Sequence, residues 1–149
     1  MDVLLLLPFL AQTVAIGLDE IYFHLKRGLP RWERIGHPLD TLSVIACFLF
    51  VLLVPYTGTA LKVYIGLAIF SCLMVTKDEF VHKHHCPAAE HWLHAILFIT
   101  HPIMLASMGL IWAKNIVDLT PFLYLQVALI SLFFLYQVIY WNFLWKEQK

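Results

Sequence analysis

DEFVHKHHCPAAEHWLHAILFITH, residues 78–101, decides the fold. It lies between two apolar runs and holds three carboxylates and six of the chain's eight histidines. Asp78 and His82 are four apart, Glu79 and His82 three apart, and Glu90 and His94 four apart. At those intervals, each pair projects from one side of a helix. Pro87 suits the first position of a second helix. The stretch therefore reads as a helix end, a tight turn and a helix start, with carboxylate and imidazole on both helices.

The pattern has a precedent in the chain. Residues 19–37 read DEIYFHLKRGLPRWERIGH. Asp19-Glu20 matches Asp78-Glu79, and Glu20 and His24 are again four apart. Pro30, Glu33 and His37 repeat the interval of Pro87, Glu90 and His94, P-x-x-E-x-x-x-H both times. The spacing implies a duplicated helical hairpin, about 3–56 and 59–113, with a metal-type half-site at each closed end.

Composition sets the environment. The 149 residues are 61% hydrophobic with a mean hydropathy of +0.78, too apolar for a soluble domain. Five apolar segments stand out, about 3–18, 38–54, 59–76, 88–113 and 119–144. The first and third helices run on to about His24 and His82. The expected fold is therefore an all-α integral membrane protein in one domain. Five transmembrane helices are expected: the first four as a duplicated-hairpin four-helix bundle, the fifth (about 119–145) peripheral. Asp2 and the lack of a small-residue cleavage site argue against a signal peptide, so the first helix reads as retained. Three scattered cysteines, with no CxxC, argue against a disulfide framework.

Orientation follows from the basic residues. Lys26, Arg27, Arg31, Arg34, Lys77, Lys83, Lys146 and Lys149 lie on one side, and only Lys62 and Lys114 on the other. The positive-inside rule puts both hairpin turns and the C-terminus in the cytoplasm and the N-terminus outside, with a bacterial inner membrane the expected location. Trp32, Trp92, Trp141 and Trp145 then mark the inner interface. Arg31 and Arg34 read as anchors there.

Seven of the ten acids and all eight histidines lie in or beside the two repeated units. Charges near a bilayer face the bundle interior and pair with one another or with an ion. The expected metal ligands are Glu20, His24, Glu33, His37, His82, Glu90 and His94, with Asp78 or Glu79; sequence cannot choose between Asp and Glu in each Asp-Glu pair. That many acids repel one another unless cations are present. Two divalent ions would neutralise them. Carboxylate and imidazole suit iron above all, with zinc or manganese as alternatives. The bridging capacity of a carboxylate makes Glu33 and Glu90 the expected central ligands, equivalent by symmetry, with His37 and His94 terminal. His91 points away from Glu90, and His84 and His85 sit in the turn with Lys83; all three read as interfacial.

The layout resembles the architecture of the ferritin-like di-iron carboxylate proteins, in which four helices supply two single Glu ligands and two Glu-x-x-His pairs. This chain has Glu-x-x-x-His instead and carries extra histidines. Asp40 and His101 break the repeat, their counterparts being Leu97 and Val44. They sit deeper, beside Pro38 and Pro102, as candidate catalytic groups: a proton relay or a substrate contact. The expected function is a di-iron oxidoreductase acting on a lipid-soluble small molecule reached from the bilayer. The alternatives are a divalent-metal transporter or sensor and a two-metal lipid hydrolase. No nucleic-acid partner is expected, and the fifth helix could serve a homo-oligomer contact. The orientation is testable in a cysteine-free background. A cysteine placed in the Arg27–Gly28 turn should react with an impermeant thiol reagent only from the cytoplasmic side; labelling in intact cells would contradict it.

Overall fold

The computed structural model describes residues 2–77 and 86–146. Asp78, Glu79 and His82 of the expected ligand set, together with His84 and His85, lie outside the described residues. The described chain is helical with short connections and no strand. Five helices are long and apolar enough to cross a membrane: α1 (Asp2–Arg27), α2 (Arg31–Leu53), α3 (Gly58–Thr76), α4 (Ala88–Ala113) and α5 (Val117–Leu144).

The two prolines of the repeated interval start their helices in the same way. Pro30 (φ −63°, ψ 157°) and Pro87 (φ −68°, ψ 155°) are extended residues immediately before α2 and α4, one position earlier than expected for Pro87. Glu33 and Glu90 thereby fall on the third helical residue, where the unpaired N–H groups of the first turn favour a carboxylate. α3 is capped differently, by the Thr57 side chain accepting the Ala60 N–H at 3.0 Å.

Close packing runs α1 on α4, α4 on α3, α3 on α2 and α2 on α5, with α4 also touching α2. The first hairpin is thus splayed, because α1 lies closest to α4 rather than to α2, whereas α3 and α4 pack on each other. α5 lies along α2. Two sets of side-chain contacts tie it to α1: Phe9 meets Phe122 edge to face, and Glu20 meets Tyr136 and Trp141. The expectation of a fifth helix outside a four-helix core thus missed that α5 sends side chains inward.

The bundle is divided along its length. One half holds the apolar core, with Phe48, Tyr64, Met108, Ile111 and Leu123 buried together. Gly109 is required there, since a Cβ at that position would lie 2.9 Å from the Tyr64 ring. Trp112 Nε1 donates to the Val54 carbonyl at 2.9 Å and ties α4 to the end of α2. The other half holds Asp19, Glu20, His24, Glu33, Glu90 and His94, all buried.

The turn from α1 to α2 fixes the entrance of that polar half. Gly28 has φ +74° and ψ 166°, a conformation essentially confined to glycine. A Cβ there would also run into the Trp145 ring that follows α5. Gly28→Ala should therefore lower stability by about 1–3 kcal/mol or more from backbone strain alone. Gly17→Ala has open space around it and should be tolerated. Thermal unfolding in detergent distinguishes the two; an unchanged midpoint for Gly28→Ala would contradict the account.

Candidate metal centre

Within α1, residues Asp19–His24 form a π-helical turn, and the Leu25 N–H bonds back to the Glu20 carbonyl. A π turn brings residues five apart into line, where an α turn aligns residues four apart. The insertion puts His24 between two acids. Its Nδ1 lies 3.0 Å from Glu20 Oε2, and its Nε2 lies 3.2 Å from Asp19 Oδ2. The Asp-or-Glu choice left open by sequence thus becomes a division of labour on one helix.

Glu20 is committed to the protein. Its Oε1 accepts from Tyr136 Oη–H at 2.7 Å and from Trp141 Nε1–H at 2.8 Å, both from α5. Its Oε2 accepts the His24 Nδ1–H. Such a carboxylate orients the imidazole and fixes its tautomer, leaving the Nε2 lone pair for an ion. That lone pair faces Asp19 and, at 3.7 Å, Glu90 Oε1. It is fully buried and makes no hydrogen bond. His94 Nε2 completes the cluster at 3.2 and 3.3 Å from the two Asp19 oxygens. Donor atoms of Asp19, His24, Glu90 and His94 all lie within 4.8 Å of one another.

A second group, His24, Glu33 and His37, shares His24 with the first. The His24 and His37 rings meet edge to face at 4.8 Å, and His37 Nε2 is 3.9 Å from Glu33 Oε2. Glu33 and Glu90 come together, with the Arg27 guanidinium between them. Arg27 Nη2 donates to Glu33 Oε2 and to Glu90 Oε1, both at 2.7 Å, and Nε faces both Glu90 oxygens at 3.2 and 3.3 Å. His91 is partly exposed and belongs to neither donor group.

The two deeper candidates have partners of their own. Both Asp40 carboxylate oxygens lie 2.7 Å from Lys77 Nζ. His101 is buried in a directional hydrogen-bond chain. The Gln12 amide donates to His101 Nδ1 at 3.2 Å, and His101 Nε2–H donates to Ser71 Oγ at 3.0 Å. Ser71 then donates to Ser43 at 2.8 Å, because the Ser43 hydroxyl is spent on the Asp40 carbonyl at 2.7 Å. A neutral His101 satisfies every link, whereas an imidazolium would face the Gln12 N–H with a donor of its own.

A cavity of about 140 Å³ joins these regions. It runs from Asp19, Glu20 and His24 past His94 to His101 and Gln12, walled by Ile16, Val44, Leu97, Phe98, Ile130 and Phe133. Cys86, between the spans, adds no thiolate to the cluster. Burial, with the Glu90 carboxylate beside it, pushes its thiol up to about 12, so it stays protonated at neutral pH.

No protein-family model, curated protein or solved structure matches this chain. Its chemistry has to be read from its own residues.

The α5 contacts generate a direct check. Tyr136→Phe and Trp141→Phe each remove one donor from a buried carboxylate, worth about 1.5–3 kcal/mol for a bond to a charged group. Both variants should unfold at lower temperature than the parent. A double variant no less stable than either single one would show that the two donors are not independent.

Proposed function

We propose that this chain is a membrane-embedded, metal-dependent oxidoreductase acting on a lipid-soluble substrate. The observation that carries the reading is His24 Nε2. A buried imidazole nitrogen faces two carboxylates and makes no hydrogen bond. A buried polar atom without a partner calls for an ion or an ordered water. Two flanking carboxylates and a second imidazole select a cation.

Asp19, His24, Glu90 and His94 would hold the ion. A donor set of carboxylates and imidazoles without thiolate suits iron, manganese or zinc, and iron is the redox-active choice favoured here. When bound, iron would relay electrons from the substrate to oxygen. The chain's part is to hold the ligands, set the tautomer of His24 through Glu20, and keep water from the reacting centre. The apolar cavity wall gives an alkyl or ring substrate a place beside the cluster. At its far end, Gln12 and His101 offer hydrogen-bonding groups, and Thr41 and Gln137 do so nearer α5, 2.7 Å apart. The recurring P-x-x-E-x-x-x-H interval supports a duplicated origin of α1–α2 and α3–α4, with the cluster at the cytoplasmic end of the bundle.

Elemental analysis of protein purified without added metal tests this reading. Iron should copurify, Asp19→Asn and His94→Ala should remove it, and oxygen consumption with membrane lipid extract should require it. Glu20→Gln, which disturbs His24 without removing a ligand, should weaken metal affinity roughly 10–100-fold. Lipid turnover with zinc and without oxygen would favour hydrolysis instead, and metal flux into proteoliposomes would favour transport.

A further inference from the structure

We infer that the cavity is entered sideways from the bilayer, through a window between α1 and α5, and that it takes a long-chain lipid with a neutral oxygen-bearing end, a hydroxyl above all. The inference rests on the lipid-soluble-substrate reading above and names the class and its route.

The window follows from the packing. The cavity is walled by α1, α2, α4 and α5, with Val75 alone from α3. α1 packs on α4, α5 packs on α2, and α4 touches α2. The remaining seam, between α1 and α5, lacks such close packing and is tied at two levels. Phe9 meets Phe122 at one, and Glu20 meets Tyr136 and Trp141 at the other. At the helical rise, these ties stand roughly 16–21 Å apart. Between them the cavity is lined by Thr13 and Ile16 on α1 and by Gln126, Ile130 and Phe133 on α5. Thr13 is exposed and the other four are half-buried. Both helices are apolar enough to span a membrane, so an opening there faces lipid.

The polar end follows from α5. Gln126, Ile130, Phe133 and Gln137 recur at intervals of four, three and four, so they form one stripe with an amide at each end. Gln126 makes no hydrogen bond among the described residues. Gln137 is only 3% exposed, and Thr41 Oγ1 lies 2.7 Å from its amide and 3.0 Å from the His37 carbonyl. The Thr41 hydroxyl has one proton. Given to Gln137, it leaves the amide N–H groups without a partner among the described residues. Given to His37, it turns the amide round and leaves the amide oxygen to accept. A ligand hydroxyl, donor and acceptor at once, answers either arrangement. An unmet amide inside an apolar span is costly, which favours a ligand that meets it.

Charge narrows the class further. Asp19, Glu20 and Asp40 line the cavity, and no lysine or arginine does so among the described residues. The proposed divalent ion is already balanced by Asp19 and Glu90. An anionic head would therefore meet like charge. Gln137 directly follows Tyr136, whose hydroxyl bonds Glu20, so the oxygen-bearing end lies toward the cluster and the chain lies through the window.

The test is photolabelling of metal-free protein in phosphatidylcholine nanodiscs, mapped by peptide mass spectrometry. The probes are tetradecanol, tetradecane and tetradecyl sulfate, each with a diazirine in mid-chain. Tetradecanol should label the α1 and α5 peptides around Ile16 and Ile130, and the other two probes should do so about tenfold less, the worth of one hydrogen bond. In Gln137→Leu, the alcohol should fall to the level of the alkane while the alkane is unchanged. Gln126→Trp, which fills the window, should cut labelling at Ile16 by all three. Equal labelling by the alkane or the sulfate, or alcohol labelling spread evenly over all five helices, would overturn the inference. The wild-type comparison decides this even if a variant does not fold. Because the labelling needs no metal, its failure leaves the metal reading standing. Absence of copurified metal would sink that reading whatever the labelling shows.

Discussion

Buried negative charge is the constraint on which the rest of this structure depends. Asp19, Glu20, Glu33 and Glu90 are all removed from solvent within one half of the bundle, against the single guanidinium of Arg27. Among the described residues, four buried carboxylates share one guanidinium in a medium that hydrates charge poorly. The proposed cation would offset part of that charge. His24 Nδ1 faces Glu20, and its Nε2 faces Asp19 and Glu90 without a hydrogen bond. A cation at that point would relieve Asp19, Glu90 and the lone pair together.

Around that requirement the architecture makes physical sense. The π turn in α1 places Asp19 and Glu20 on either side of His24, one toward the centre and one toward α5. α5 carries no charge between Asp118 and Lys146, yet its Tyr136 and Trp141 hold the carboxylate that orients the imidazole. The helix N-termini at Pro30 and Pro87 put Glu33 and Glu90 where the helix ends favour them. The apolar core is kept at the opposite half of the bundle, so rigidity and chemistry occupy separate lengths of the same helices. The hydrogen-bond chain from Gln12 through His101 to Ser43 lies between them and lines the inner end of the cavity.

Sequence carried much of this. Hydropathy alone marks all five helices, since a bilayer-length apolar run has few other readings. The Glu-His spacing picked out Glu33, His37, Glu90 and His94 and placed Glu33 near Glu90. What it could not provide was a departure from α-helical periodicity. The four-residue interval selects Glu20, whereas the π turn brings the five-residue partner Asp19 to the centre. Tyr136 and Trp141 were unreadable for another reason. Neutral aromatics near a membrane interface look like anchors, and nothing in α5 reports which face turns inward. Arg27 was counted as an orientation charge because positive-inside residues outnumber those drawn into a site. Asp40 and His101 stood out as exceptions to the repeat. The structure gives them local partners, Lys77 for one, and Gln12 with Ser71 for the other.

The central claim is that a cation sits on carboxylates and on the Nε2 atoms of His24 and His94. X-ray absorption at the metal edge of the loaded protein addresses it most directly. The account predicts a first shell of nitrogen and oxygen at about 2.0–2.2 Å and outer-shell scattering from two imidazole rings. A sulfur shell near 2.3 Å, or a spectrum with no imidazole scattering, would contradict it.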